Sequence, residues 1–412
     1  MNRGLKVLMM GGHRVGKSSA LAAIIDAFTK EPINTLLTAK DVTKDASEPI
    51  AMKLADIQRS LSKNNQKIIM VDSGKTEVIY HYQLEISIPG NKNKMEILFT
   101  DVNGEFYESG NTRQDEICSM IEEYDVFIIA IDTPALMESF NDSNPYMDSI
   151  INEKFNYVED IHEFLTAINQ KNIASAKLVI FTPIKCEKWA QESKLDLVVS
   201  RVKQIYSTAI AGLEAHNNIR IEFLPIQTIG SMVFKEHLPA SIFSYQKRSM
   251  LFFKKSIVAK GSVVSGDKIR LSDGSVLQLS EGSLNDDISA VLIEGTDIVR
   301  PNSWYFVCSS KYKPHNCEQL AIHILEFMLR RMVDAKIKEE NNRGFFSRGM
   351  RALGNFALNI FTLSLWSEIM HYFGDIPMEK MEDVLKSMKD KKIMKYCGEG
   401  IEVYKDVELL TR

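Results

Sequence analysis

The fold is decided between residues 5 and 30, which read LKVLMM (5–10), GGHRVGKSS (11–19) and ALAAIIDAFTK (20–30). The apolar run reads as a buried strand, and apolar residues at helical spacing from Ser18 to Lys30 read as a helix. Between them, Gly11-x-x-x-x-Gly16-Lys17-Ser18 fits the Walker A pattern. That spacing has a physical reason. Successive main-chain N–H groups ring a β-phosphate, and the glycines permit the tight path. The Lys17 ammonium neutralises β and γ oxygens, the Ser18 hydroxyl reaches Mg²⁺, and the helix N-terminus points its dipole at the anion. Gly11, His13, Arg14, Val15, Gly16, Lys17, Ser18 and Ser19 are the candidate nucleotide contacts of this loop.

A partner for the metal stands in LFTDVNGEFYESG (98–110), where Asp101 ends a strand and Gly104 follows three residues later. Asp101 can reach Mg²⁺ through water, and the Gly104 N–H can meet a γ-phosphate. Two strands in hairpin order precede that motif, EVIYHYQLEISI (77–88) and KMEILFTDV (94–102), with PGNKN (89–93) as the turn. Thr76, just before the first of them, is the candidate to close over metal and γ-phosphate; Thr38 and Thr43 are its rivals.

Beyond residue 120 the pattern alternates: strand 124–132, helix 157–169, strand 176–184, helix 195–213, strand 219–227. Strands alternating with helices imply a mostly parallel sheet with helices on both faces. Residues 231–305 break the rhythm and read as a β-rich excursion, with Asp273-Gly274 at a hairpin turn. PHNCEQLAIHILEFMLRRMVDAKIK (314–338) returns to helix, with Asn316 as N-cap and Leu320, Ile324, Leu325, Met328 and Met332 as its apolar face.

Composition narrows the function classes. A chain of 412 residues suits one large nucleotide-binding domain with additions. A net charge of −4 supplies no global positive field, so no nucleic-acid partner is expected. The five cysteines are scattered without Cys-x-x-Cys and read as reduced thiols, which points to the cytoplasm.

The loop, the Asp101-x-x-Gly104 motif and the antiparallel strand pair before it together resemble the TRAFAC class of GTPases. The resemblance implies a P-loop NTPase (G-domain-like) α/β three-layer sandwich, with a mostly parallel sheet and one antiparallel edge strand. A β-rich insertion and a helical C-terminal tail are added to it. It also places base recognition after the strand KLVIFTPI, where such proteins carry Asn/Thr-Lys-x-Asp and this chain has Ile184-Lys185-Cys186-Glu187. The Lys185 stem would cover the purine face and the Glu187 carboxylate would take the two N–H groups on guanine's edge, while the Asn that ties neighbouring loops together is missing. In LPIQTIG (224–230), Gln227 and Thr228 fall where a loop touches the base. More narrowly, PIKCE, Glu105 after the switch glycine, and PHNCEQ are similar to bacterial double-GTPase-like proteins of multi-gene conflict systems. This implies a GTP-driven switch, with GTP/GDP and Mg²⁺ as cofactors, inside an assembly of other subunits or a dimer.

Two residues bear on catalysis. Glu105 stands where many GTPases orient the attacking water, and its charge repels phosphate, so hydrolysis is expected to be slow unaided. Arg14 matches the arginine that guanylate-binding proteins use as an internal finger, which makes it a catalytic candidate beside Lys17 and Gly104. The expected domains are 1–230 as the G-domain core, 231–313 as insertion, 314–340 as closing helix and 341–412 as tail. In the tail, residues 343–373 read as a packed helix in preference to a peripheral membrane contact. A non-catalytic nucleotide-stabilised scaffold and an ATPase remain the alternatives.

Overall fold

In a computed structural model of the protein, the described residues are 4–12, 15–30, 33–35, 38–43, 50–70, 79–87, 94–107, 120–138, 152, 155–170, 176–237, 258–265, 268–271, 276–278, 290–293, 303–325, 327–328 and 331. The predicted first strand and helix are β1 (Gly4–Met10) and α1 (Lys17–Phe28). β2 (Thr38–Asp41), α2 (Ile50–Asn64) and β3 (Ile68–Met70) follow. Next come β4 (Tyr80–Ser87), β5 (Lys94–Asp101), β6 (Val126–Asp132) and α3 (Thr133–Met137). The core continues with α4 (Val158–Gln170), β7 (Lys177–Ile184), α5 (Glu187–Gln191), α6 (Leu195–Ile205), α7 (Ser207–Glu214) and β8 (Ile219–Phe223).

The main sheet has seven strands in the order β2-β4-β5-β1-β6-β7-β8. β5, β1, β6, β7 and β8 run parallel, and β4 pairs antiparallel with β5 from Tyr80↔Asp101 to Ser87↔Lys94. β2 adds itself outside β4, so the antiparallel strand is second from the edge. Side chains alternate through the buried strands, as a sheet covered on both faces requires. Val7 and Met9 face the layer of α1 and the last helix, at 317–325, whereas Leu8 and Met10 face the layer of α4, α6 and α7. The result is the expected three-layer α/β sandwich.

The helix read as 195–213 is broken at Tyr206, which ends one helix as it begins the next and whose fully buried ring packs at a tilt on Phe181 with centroids 5.4 Å apart. The stretch after 231 is β-rich, with β9 (Met232–His237), β10 (Val258–Ser265), β11 (Lys268–Leu271), β12 (Val276–Gln278), β13 (Ala290–Ile293) and β14 (Ser303–Val307). β10 to β13 form their own sheet, in which β11 and β12 pair antiparallel as the predicted hairpin; its Asp273-Gly274 turn lies outside the described residues. β14 instead lies between β3 and β9, antiparallel to both, and this small sheet buries Phe234 and Tyr305 against Trp189 and the main core. In the last helix Leu320, Ile324, Leu325 and Met328 are buried as predicted. Asn316 adopts φ 65, and its side-chain amide donates to the Pro225 carbonyl at 3.2 Å, so its Nδ2 ties the helix start to the end of β8. Met332 and residues 341–412 lie outside the described residues.

Candidate functional site

The parallel strands β5, β1, β6 and β7 end on one edge, with Met9 beside Asp101 and Asp132 beside Ile184. Successive connections leave β1 toward opposite sides there, the kind of crevice in which open α/β sheets bind ligands. The loop 11–16 lies in this crevice and enters α1 through Gly16, whose φ of 107 is a left-handed conformation that glycine adopts without a Cβ penalty. α1 has no side-chain cap and no acidic residue in its first turn, so its leading N–H groups remain available to an anion. Lys17, only 6 % exposed, holds its ammonium over the loop by donating to the carbonyls of Gly11 (3.0 Å) and Gly12 (2.9 Å).

Ser18, in the first turn of α1, and Asp101, at the end of β5, meet in the crevice. The Ser18 hydroxyl donates to Asp101 Oδ2 at 2.6 Å, while Asp101 Oδ1 is buried with no hydrogen-bond partner. Burial pushes the Asp101 carboxyl above the usual carboxylate range, against the pull of Lys17 and Ser18. A buried, under-partnered carboxylate oxygen next to a hydroxyl fits a hard divalent cation such as Mg²⁺. Among the described residues no group of three His, Cys, Asp or Glu side chains stands where it could hold a metal ion. Gly104 opens a 3-10 turn over Gly104–Tyr107, and Phe106 N–H donates to the Asn103 carbonyl at 3.1 Å.

At the other end of the crevice the segments after β6, β7 and β8 meet. Lys185 has φ 59, a left-handed conformation costly for a residue with a Cβ. Its Nζ pairs with Asp132 Oδ2 at 2.6 Å, and its Cε would lie 3.4 Å from a Cβ on Gly16, so the stem runs beside the phosphate loop. Glu187 is buried, and its Oε1 accepts from the N–H groups of Ile229 and Gly230, both at 3.0 Å. Desolvation raises the Glu187 carboxyl, opposed by those two amides. Oε1 is thus committed within the protein. Thr228 accepts from the Lys185 N–H at 3.4 Å. Gln227 exchanges both main-chain bonds with His315 at 3.0 Å each, and its Nε2 is buried without a partner. The segment around His315, which the sequence marks only as part of the PHNCEQ signature, therefore pairs with the 224–230 loop through Gln227.

Gly11, Val15, Gly16, Lys17, Ser18, Ser19, Asp101, Gly104, Lys185, Glu187, Gln227 and Thr228 are described, and the contacts above draw most of them into one crevice. His13, Arg14, Thr76 and the Glu105 side chain lie outside the described residues and side chains. Sequence reasoning missed Asp132, Asn152 and Asn156, because no motif marks a carboxylate that grips a lysine from another strand.

Residues 7–221 match the family model described as Double-GTPase 2. No curated protein matches the chain. Two solved structures of the Saccharomyces cerevisiae Ski7 GTPase-like domain are similar. The GTP-bound form is 12 % identical with a TM-score of 0.32 over 74 % of this chain and 70 % of that one. The form bound to GDP and inorganic phosphate is 11 % identical with a TM-score of 0.32 over 75 % and 72 %.

Proposed function

The chain belongs to the Double-GTPase 2 family, a family of P-loop GTPases, and from that premise we propose that it is a Mg²⁺-dependent guanine-nucleotide switch that hydrolyses GTP slowly within a larger bacterial assembly. The carrying observation is the juxtaposition of the Lys17 ammonium, held by two loop carbonyls, with the Ser18–Asp101 pair and its open oxygen. Lys17 and the α1 N-terminus bind the phosphates. Ser18 and Asp101 would hold Mg²⁺, which would supply positive charge to offset that of the phosphates. Lys185 covers the purine, Glu187 Oε2 accepts from guanine's edge, and Gln227 and Thr228 flank it. Gly104 meets the γ-phosphate and Thr76 closes over it. Glu105 orients water, which attacks the γ-phosphorus as the bond to the β–γ bridging oxygen breaks, releasing GDP and phosphate. Arg14 serves as the finger that neutralises developing charge once two nucleotide domains meet. The proposal keeps 1–230 and 314–340 as the G domain, 231–313 as an insertion and 341–412 as a partner-binding tail, in the cytoplasm. Among the described residues no helix is long and apolar enough to cross a membrane.

The test is to identify the nucleotide that co-purifies, then to measure GTP and ATP turnover with and without Mg²⁺, with Lys17→Ala as the control for contaminants. Guanine nucleotide and Mg²⁺-dependent GTP turnover lost in the variant support the proposal. Binding without turnover leaves a nucleotide-stabilised scaffold, faster ATP turnover an ATPase, and no affinity for GTP or GDP overturns the reading.

A further inference from the structure

The stretch between α3 and α4 carries buried amides to which no motif assigns a role. Asn156 is 1 % exposed. Its Oδ1 accepts from the Asp132 N–H at 2.7 Å, and its Nδ2 donates to Asn152 Oδ1 at 2.8 Å and reaches the Asp132 carbonyl at 3.4 Å. One amide thus grips both main-chain polar groups of the residue whose carboxylate holds Lys185. Asp132 itself is 2 % exposed; its Oδ2 pairs with Lys185 and its Oδ1 accepts from the Ala135 N–H at 3.1 Å. One residue before Asn156, the Phe155 carbonyl lies so close to Gly12 that a Cβ there would collide with it. A single short segment therefore braces the phosphate loop and fixes the anchor of the base lysine.

At the first position of the base motif the Ile184 side chain offers no donor or acceptor; its Cδ1 would lie 3.6 Å from a Cβ on Gly16, an apolar contact with the same loop. We propose that Asn156 is a positioning residue for guanine recognition, which through Asp132 holds the Lys185 stem over the purine face and so does the work that Ile184 cannot. This rests on the guanine-nucleotide reading above. Asn156 acts on nucleotide through Lys185, with Asn152 behind it to fix which way its amide faces. In a dry site, removing it strands the Asp132 N–H, and the anchor loses its register.

The experiment is calorimetric titration of the full chain with GDP and with ADP, Mg²⁺ present, for wild type, Asn156→Ala, Asn152→Ala, Lys185→Ala and the Asn156→Ala/Lys185→Ala double variant. The readout is the ratio of GDP to ADP affinity, which a general weakening of the fold leaves in place. Asn156→Ala should lower that ratio about tenfold, the cost of one unmade buried hydrogen bond. Asn152→Ala, a milder change that tests the same chain if Asn156→Ala does not fold, should lower it about threefold. In the Lys185→Ala background Asn156→Ala should add nothing, because its path to the base is gone. An unchanged ratio in a folded Asn156→Ala or Asn152→Ala protein, or an additive loss in the double variant, overturns the inference and leaves the GTPase reading intact. Wild type that binds neither GDP nor ADP sinks both.

Discussion

The two ends of the crevice are built differently. At the end proposed for phosphate, Asp101 Oδ1 is buried and unbonded, and α1 begins without a side-chain cap. At the base end the charges are already spent inside the protein, Glu187 Oε1 on two amides and Asp132 on Lys185 and an N–H, with Gln227 Nε2 as the exception. The phosphate end gains most when an anion and a cation arrive, so it should supply affinity. The base end is preorganised, so it should supply discrimination.

That division can be broken by variants at each end. The largest effect belongs to Lys17→Ala, expected to weaken GDP about a hundredfold in calorimetry, since an ammonium bonded to phosphate contributes about 3 kcal/mol. ADP should weaken in proportion, so the ratio of the two affinities stays put; a changed ratio would mean that the ends are not separate. Next comes Glu187→Gln. The new side chain keeps one carbonyl oxygen, which the Ile229 and Gly230 amides claim, and turns an NH₂ toward guanine's own donors. The ratio of GDP to ADP affinity should fall about tenfold. If it does not move, Glu187 is a strut for the loop and the guanine edge is read by other atoms.

The same contrast explains what the sequence made legible. The phosphate end is local: strand, loop and helix are consecutive, and the glycines and lysine sit at fixed spacing, so β1, α1 and the loop could be read directly. Asp101 was legible because it ends a strand of strong alternation. The base end is distributed. Its lysine is held by Asp132 from a neighbouring strand and its loop by His315, 88 positions away in the chain counted from Gln227, and neither contact leaves a local signal. Asn156 is a single amide at a helix start, indistinguishable in sequence from a solvated one. β2 was missed because Thr38–Asp41 is mostly exposed and has no apolar alternation; its pairing with β4 makes it a strand. β3 was missed because its partner β14 is more than two hundred residues away. The break at Tyr206 came from the core, where a large ring packing on Phe181 overrode a continuous helical pattern.

The smallest effect is the one that tests the buried Asp101 carboxyl itself. Burial raises the Asp101 carboxyl above its ordinary value, so the folded state binds that proton more tightly than the unfolded chain does. Its contribution to stability is therefore flat below the unfolded carboxylate range and falls as pH rises through and beyond it. Asp101→Asn removes that slope while an amide oxygen still accepts from Ser18. In urea unfolding without nucleotide, the variant should gain on wild type as pH goes from acid to neutral, by about 1.4 kcal/mol for every tenfold by which folding tightens the hold on that proton. The order should invert with ligand: Mg²⁺ and GDP together stabilise wild type, whereas for the variant Mg²⁺ adds almost nothing to GDP binding, because a neutral amide is a poor ligand for it. Curves for wild type and variant that stay parallel across pH would mean that this carboxylate is at ease without a cation, and the phosphate end would no longer differ from the base end in the way its geometry implies.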